Sequence, residues 1–334
     1  MSEIRHNRLT GEWVIIAPER AKRGGNLDRR LSPAEVPALE KNCPFCPGNE
    51  VATDERYRTN GNDGHWLIRS LTNKYSVLSS SGEAVPGDAP EHFRHTVNCV
   101  GLHEVLVEGP RHDLPMALLP VEHVQRILEG YSHRFAAFYA DPRVRHVIIF
   151  KNQGAEAGAS QQHPHSQLVG LPIVPGQVVE RLESARRFFT ETGQCLACTL
   201  MAEEQEHGAR IVAENAHFIA FIPYAALSPY HLWIFPKVHT ACFAEESPDT
   251  LRSLAEILRA VLAKVHGLLA NPPFNLVIRS LGPRERDAAH FHWYISIVPR
   301  VNKRAGFELG TGMYVNPSLP DGCAQALREH AIQI

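Results

Sequence analysis

One pattern of motifs occurs twice along this chain of 334 residues. In each copy, a C-x-x-C pair precedes a strand-like segment that ends in histidine, a helix-like segment, a second strand-like segment and an H-x-H motif. His112 precedes His163 by 51 residues, and His239 precedes His290 by the same 51 residues. Because a spacing kept over this distance is improbable by chance, an internal duplication is the simplest explanation. The sequence therefore predicts two halves with one design.

The segments between the motifs predict a mixture of strands and helices. EVLVE, HVIIF, HLWIF and WYISIV are rich in β-branched and aromatic residues, which is typical of strands. Leucines recur at helical spacing over 249–270 after an acidic start, and an amphipathic pattern near 121–140 takes the same place in the first half. Residues 177–192 predict a helix that links the halves.

The composition limits the class of protein. A net charge of −2 and a pI near 6.8 favour neither nucleic acid nor an anionic membrane as a partner. We expect a soluble cytosolic protein, since no secretory signal starts the chain and no apolar run approaches a membrane span. Seven cysteines cannot form a complete disulfide framework, so the two C-x-x-C pairs favour metal binding or redox chemistry.

The duplicated cysteines and histidines predict two zinc sites. Structural zinc takes four nitrogen or sulfur ligands in a tetrahedron, and one C-x-x-C turn supplies two of them. The candidates in the first half are Cys43, Cys46, His112 and His163. The candidates in the second half are Cys195, Cys198, His239 and either His290 or His292, and the count of residues in the repeat favours His290.

The motif HPHSQ, residues 163–167, predicts a nucleophile. Alternate residues of a strand share one face, so His163, His165 and Gln167 lie in a row. If His163 binds metal, the imidazole of His165 remains to attack an activated phosphoryl group. The amide of Gln167 would stabilise charge on a phosphate oxygen, but it cannot shuttle a proton. This favours transfer to an acceptor over hydrolysis.

These motifs resemble the galactose-1-phosphate uridylyltransferase family of the histidine-triad superfamily. HPHSQ resembles its active-site motif, and LTGEWVIIAPERAKR, CPFCPGNE, LTNKYSVL, EVLVEGPRHD and FKNQGAEAGAS follow in the family's order. AGFELGTGMYVNPSLP resembles the C-terminal segment of a branch that includes ADP-glucose phosphorylase. The first of these segments begins at residue 9 and the last ends at residue 320, so the resemblance extends over nearly the whole chain.

The resemblance implies an α+β fold of duplicated histidine-triad-like domains, over residues 1–190 and 191–334, with helices packed on antiparallel sheets. It also implies a homodimer with active sites near the interface. The implied reaction is ping-pong: His165 takes a nucleoside monophosphate from a nucleotide-sugar, and a sugar 1-phosphate or inorganic phosphate then accepts it.

The resemblance also assigns roles to individual residues. Gln167 and Ser160 match the family's phosphate-contacting positions in the catalytic motif, and Asn152 lies in the matching strand end. The other substrate-contacting matches are Arg20, Arg23, Asn73, Gly306 and Glu308. In the phosphorylase-like branch the second metal is zinc, and the histidine before tryptophan, here His292, would bind it.

Four functions remain open at this point. Uridylyl transfer between UDP-glucose and galactose 1-phosphate is the leading interpretation, and adenylyl chemistry such as phosphorolysis of ADP-glucose is second. Hydrolysis of dinucleoside polyphosphates is a third, against which Gln167 argues. A zinc-stabilised nucleotide-sensing or nucleic-acid-binding module is the non-enzymatic alternative, and the neutral charge disfavours nucleic acid.

Overall fold

A computed structural model describes residues 2–23, 36–83 and 96–332 of the protein. Within these residues the strands are β1 Glu3–His6, β2 Trp13–Ile16, β3 Glu55–Asn60, β4 Trp66–Thr72, β5 Leu102–Val107, β6 His146–Gln153, β7 His165–Leu171, β8 Ile211–Glu214, β9 Phe218–Phe221, β10 Leu232–Pro236, β11 Phe274–Arg279, β12 Tyr294–Pro299 and β13 Tyr314–Asn316. The α-helices are α1 Val121–Tyr139, α2 Gly176–Thr192, α3 Leu196–His207, α4 Pro248–Leu268, α5 Gly306–Thr311 and α6 Pro320–Glu329.

Ten strands form one large sheet in the order β3-β4-β5-β7-β6-β11-β12-β10-β9-β8. All of its strand pairs are antiparallel. The order is symmetric about the pair β6–β11: the first half contributes β3 to β7, and the second half repeats that arrangement with β8 to β12. The fold is therefore α+β with an internal duplication, but the two halves share a single sheet.

The two long helices cover one face of this sheet and contact each other. In α4, Ser247 caps the first turn by accepting a hydrogen bond from the Thr250 N–H at 3.2 Å, and Pro248 occupies the first helical position. Apolar residues at helical spacing, from Leu251 to Val265, are then buried against the sheet. In α1, the buried positions from Val124 to Phe138 follow the same spacing, so both helices close one continuous core.

The opposite face is covered only in part. Met201 and Ala197 of α3 pack there on aromatic side chains of β9, β10 and β12. A second sheet, in the order β1-β2-β13, packs through Val14 and Ile16 against Ala225. The uncovered part of this face carries His165 and Gln167, because odd-numbered residues of β7 point away from α1.

The pairing of strands fixes how the two halves correspond. Ile149 of β6 pairs with Leu168 of β7, and Leu276 of β11 pairs with Ile297 of β12. These pairings fix the sum of the offsets on the two strands at 256 residues. His163 and His292 take the same place in the two Cys2His2 clusters, which sets the offset at 129 residues on β7 and therefore at 127 residues on β6. His165 then corresponds to Tyr294, and the connection before β12 is two residues longer than the one before β7.

None of the helices among the described residues is both long enough and apolar enough to span a bilayer.

His231 is a buried histidine in the second half, with 1% of its surface exposed. The Leu227 N–H donates to its Nδ1 at 3.3 Å, so Nε2 carries the proton and donates to the Ser296 hydroxyl at 3.0 Å. Burial, with a smaller effect from the charge of Arg279, lowers the pKa of His231 to about 3. The folded protein therefore disfavours the protonated ring that the unfolded chain forms below pH 6.5.

We expect His231 to make the fold less stable in acid. As the pH falls from 6.5 towards 3, the unfolded state binds a proton that the folded state rejects, so this residue removes about 1.4 kcal/mol of stability per pH unit. His231→Gln should flatten the pH dependence of the free energy of unfolding by about that slope, measured by urea denaturation between pH 7 and 5. The same substitution at exposed His65 should leave the slope unchanged, and identical slopes in both variants would contradict this account.

Candidate metal and catalytic site

The first Cys2His2 cluster joins three distant segments of the chain. Its members, Cys43, Cys46, His112 and His163, are all buried, and their ligand atoms lie within 4.8 Å of one another. His163 Nδ1 is 3.6 Å from Cys43 Sγ and 3.5 Å from Cys46 Sγ, and His112 Nδ1 is 3.5 Å from Cys46 Sγ. Ligands of tetrahedral zinc are separated by about 3.3–3.8 Å, so these atoms fit a single ion.

The surroundings of this cluster also fit a metal. Burial raises the pKa of the Cys43 thiol to about 11 and lowers the pKa of His163 to about 4. The imidazole is therefore neutral, as a ligand must be, and a bound cation would supply the charge that a buried thiolate needs. His163 Nε2 donates to the Gly109 carbonyl at 2.7 Å, which directs Nδ1 to the cysteines.

The second cluster contains His292 and not His290. Cys195, Cys198, His239 and His292 bring their ligand atoms within 4.8 Å of one another. Cys198 Sγ lies 3.4 Å from Nδ1 of both His239 and His292. His290 instead accepts a hydrogen bond from Arg186 Nε at 3.2 Å. The repeat count that favoured His290 is wrong, because the longer connection before β12 shifts the H-x-H motif by two residues.

His165 stands next to the first cluster, with 6% of its surface exposed. Its Nδ1 donates to the His163 carbonyl at 2.8 Å, so in the neutral ring Nε2 keeps its lone pair. Burial, and to a lesser degree the charge of Lys151, lowers the pKa of His165. Phe45, inside the C-x-x-C turn, packs against this ring with centroids 5.5 Å apart. The imidazole is thus neutral, oriented and separate from the ligand set.

A cavity of about 480 Å³ opens in front of His165. Ser160 and Asn152, to which the resemblance assigns phosphate contacts, line it together with His165. Asn152 Oδ1 accepts from Asn275 Nδ2 at 2.8 Å, which leaves the Asn152 NH2 group available. The loop 271–273 of the second half forms part of the wall. We call this space the catalytic cavity.

Gln167 and Asn73 both contact His103, a residue that the sequence analysis missed. His103 Nε2 lies 2.9 Å from Gln167 Oε1 and 2.9 Å from Asn73 Nδ2. The Val77 N–H donates to His103 Nδ1 at 3.3 Å, so Nε2 carries the proton and donates to Gln167 Oε1. The Asn73 NH2 group is itself a donor, so its contact with Nε2 is not a hydrogen bond. The Gln167 NH2 group remains free for a ligand. His103 lies in a largely apolar strand, and only the pairing of that strand with β7 shows that it reaches Gln167.

A buried ionic network lies behind the strand that carries His165. Lys151 and Glu108 are almost fully buried, and Lys151 Nζ donates to Glu108 Oε2 at 2.8 Å and to the His165 carbonyl at 3.3 Å. Ser166 donates to the same carboxylate and contacts the Tyr131 hydroxyl at 2.5 Å. This network is a second feature that the sequence analysis missed. The sequence does carry a sign of it, because Glu108 and Lys151 each follow directly after a largely apolar strand segment.

Five predicted contacts among the described residues do not line the catalytic cavity: Arg20, Asn73, Gln167, Gly306 and Glu308. Arg20 is exposed in a short 3-10 helix, Pro18–Arg23, and the side chain of Arg23 lies outside the described residues. Gly306 is exposed at the start of α5, and Glu308 accepts a hydrogen bond from the Ala305 N–H at 2.9 Å. Glu308 lines a separate cavity of about 200 Å³, which Asn275 also lines.

Comparison with known proteins adds to this geometry. The family described as "Galactose-1-phosphate uridyl transferase, N-terminal domain" matches residues 1–175, and a domain of unknown function, DUF4921, matches residues 117–332. The chain belongs to the galactose-1-phosphate uridylyltransferase family. This confirms the resemblance seen in the motifs, and membership makes the protein a nucleotidyltransferase.

Individual relatives of the family cover the whole chain. ADP-glucose phosphorylase of Arabidopsis thaliana is 33% identical over 98% of this chain and 92% of its own length. Galactose-1-phosphate uridylyltransferase of Thermotoga maritima is 28% identical over the full length of both. The crystal structure of the Arabidopsis thaliana phosphorylase with bound ADP-glucose covers both chains completely, with a TM-score of 0.83 and 31% identity.

The metal clusters allow a direct test of the register between the halves. We expect zinc-reconstituted protein to hold two ions per chain, measured by inductively coupled plasma mass spectrometry after gel filtration. His292→Ala should lose one ion because it removes a ligand atom, whereas His290→Ala should keep both. Equal metal content in the two variants would contradict the assignment of His292, and circular dichroism would verify that both remain folded.

Proposed function

We propose that the protein transfers a nucleoside monophosphate from a nucleotide-sugar to a phosphorylated acceptor through a covalent nucleotidyl-histidine at His165. The observation that supports this proposal is the orientation of the His165 imidazole at the edge of the catalytic cavity. Nδ1 of His165 is tied to the His163 carbonyl, and the ring borders a cavity large enough for a nucleotide-sugar. A neutral histidine held in this way is a nucleophile of the kind that forms covalent intermediates.

In the first step, the Nε2 lone pair attacks the α-phosphorus of the nucleotide-sugar. The N–P bond forms as the bond from the α-phosphorus to the bridging oxygen breaks, and the sugar 1-phosphate leaves with that electron pair. The ring becomes cationic, and the Nδ1–H···O=C bond to His163 stabilises that charge. In the second step, a phosphate oxygen of the acceptor attacks the same phosphorus, and the neutral imidazole leaves.

The remaining polar groups would stabilise the transferring phosphoryl group. Ser160 lines the catalytic cavity beside His165, and Asn152 presents its NH2 group there. Gln167 lies on the same face of β7 with its NH2 group free, because His103 occupies its carbonyl oxygen. Donors aimed at a phosphate oxygen lower the barrier when charge develops on it. The zinc sites would be structural, since the protein supplies all four ligands of each.

For the substrate, the observations favour adenylyl transfer from ADP-glucose to inorganic phosphate over uridylyl transfer to galactose 1-phosphate. The second cluster uses the histidine before tryptophan, His292, as the resemblance implies for the phosphorylase-like branch. Identity and structural similarity are also higher to the Arabidopsis thaliana phosphorylase than to the Thermotoga maritima uridylyltransferase and a solved uridylyltransferase structure. Uridylyl transfer remains the second candidate, supported by full-length similarity.

A cytosolic homodimer is part of this proposal. Arg20 and Glu308 do not line the catalytic cavity of their own chain, although the family uses their positions for substrate. A partner subunit that supplies them would reconcile the two observations.

The covalent step predicts a change in intact mass. Incubation with ADP-glucose should add one AMP unit to the protein, and UDP-glucose should add less or none. His165→Gly should abolish the adduct and reduce transfer below detection, because it removes the imidazole that would bond to the phosphorus. His65→Gly, at an exposed turn, is the control and should still form it. An adduct on the His165→Gly protein would refute the assignment of the nucleophile.

Gln167 should determine the choice between transfer and hydrolysis. Gln167→His replaces an amide donor by a proton shuttle, so we expect transfer to fall about tenfold or more and nucleotide release without acceptor to rise. Both rates can be followed by chromatography of the nucleotides. Gln162→His, at an exposed position of the catalytic cavity, is the matched control. Unchanged transfer in the Gln167→His protein would contradict an amide-specific role.

A further inference from the structure

A second cavity, of about 210 Å³, lies on the same face of the large sheet in the C-terminal half. Residues 278–281, 290–292 and Tyr294 line it. With the offsets fixed by strand pairing and the two clusters, they correspond to residues 151–154, 161–163 and His165. All of those residues line the catalytic cavity. The second cavity is therefore the duplicated copy of the catalytic one.

The second cavity has the same kinds of polar groups beside it as the catalytic cavity. A Cys2His2 cluster adjoins each cavity. His103 pairs with Gln167 at 2.9 Å in the first half, and His231 pairs with the corresponding Ser296 at 3.0 Å in the second. The nucleophile is lost, because Tyr294 occupies the position of His165. The second cavity can thus hold a ligand without forming a nucleotidyl-histidine.

One change makes the copy positively charged: Arg279 stands where the catalytic cavity has Asn152. Arg279 has no hydrogen-bond or ion-pair partner among the described residues, and burial lowers its pKa. A second guanidinium, Arg181 of α2, also lines the cavity. Its Nη2 donates to Glu12 at 3.3 Å, so this carboxylate compensates one of the two positive charges. One charge is left without a counterion.

Several buried donors around the cavity also have no acceptor. Nε and Nη1 of Arg181, Nε2 of His292 and the Tyr294 hydroxyl are buried without a hydrogen-bond partner among the described residues. All three residues line the cavity. Since unpaired buried donors are costly, such a group of them indicates a missing acceptor. A guanidinium pair matches the oxygens of a phosphate group especially well.

We infer that the second cavity binds the oxyanion of inorganic phosphate or of a small phosphate monoester, without chemistry on it. The ligand is smaller than a nucleotide-sugar, because the cavity has less than half the volume of the catalytic one. The inference does not depend on transfer at His165. It rests on the duplicated position, the uncompensated charge of Arg279 and the unpaired donors.

The test is isothermal titration calorimetry of the zinc-loaded protein with inorganic phosphate. The wild type should show a class of phosphate sites that Arg279→Leu weakens roughly tenfold or more, since a charged hydrogen-bonding group is removed. The matched variant is Asn152→Leu, which alters the corresponding residue of the catalytic cavity and should keep this class of sites. Titration with glucose 1-phosphate in the same proteins shows whether a monoester occupies the site or only free phosphate does.

Two results would overturn the inference. One is a phosphate isotherm of the Arg279→Leu protein that superimposes on that of the wild type. The other is loss of all phosphate binding in Asn152→Leu alone, which would place the anion only in the catalytic cavity. If Arg279→Leu does not fold, Arg279→Gln removes the charge but keeps a polar side chain at this position. Failure of nucleotidyl transfer at His165 would leave these titrations unaffected, so the two proposals can fail separately.

Discussion

The antiparallel pairing of β6 with β11 is the constraint on which the rest of the structure depends. It joins the two halves into one sheet, with Asn152 paired to Asn275 across the seam. Because this pairing sets the halves side by side, α1 packs on α4 and a single core continues beneath both. It also brings the loop 271–273 of the second half to the wall of the catalytic cavity. The catalytic cavity is thus built by both halves, although its reactive groups come from one.

The Cys2His2 clusters provide the second level of organisation. Cys43 and His163 are 120 residues apart in sequence, and their contact fixes an N-terminal loop to the start of β7. The loop carries Phe45, which packs on His165, so the position of the cysteines determines one wall around the imidazole. In the proposed mechanism, separate histidines for metal binding and for chemistry would leave the ring of His165 free to change its bonding while His163 stays in place.

The sequence predicted the features that depend on local pattern. Periodicity located α1 and α4 within two residues of their ends, and alternation placed His165 and Gln167 on one face. The sequence could not predict that β6 and β11 pair, because a pairing between the two halves leaves no local pattern in the sequence. A separate sheet in each half was therefore expected. Counting residues along the repeat could not decide between His290 and His292, because an H-x-H motif has a histidine at both positions. The structure decides it, since His292 lies in the second cluster and the connection before β12 is longer.

The network behind His165 has a consequence for how the two halves have diverged. The positions of Lys151, Glu108 and Ser166 correspond in the second half to the buried apolar residues Ile278, Pro236 and Ile295. The fold therefore accepts apolar side chains at these positions. Replacing a buried ion pair by apolar packing is often neutral or stabilising. The N-terminal half carries a desolvation cost that the second half does not. In the proposed mechanism this polar interior would serve the position of His165, to whose carbonyl Lys151 donates, rather than thermal stability.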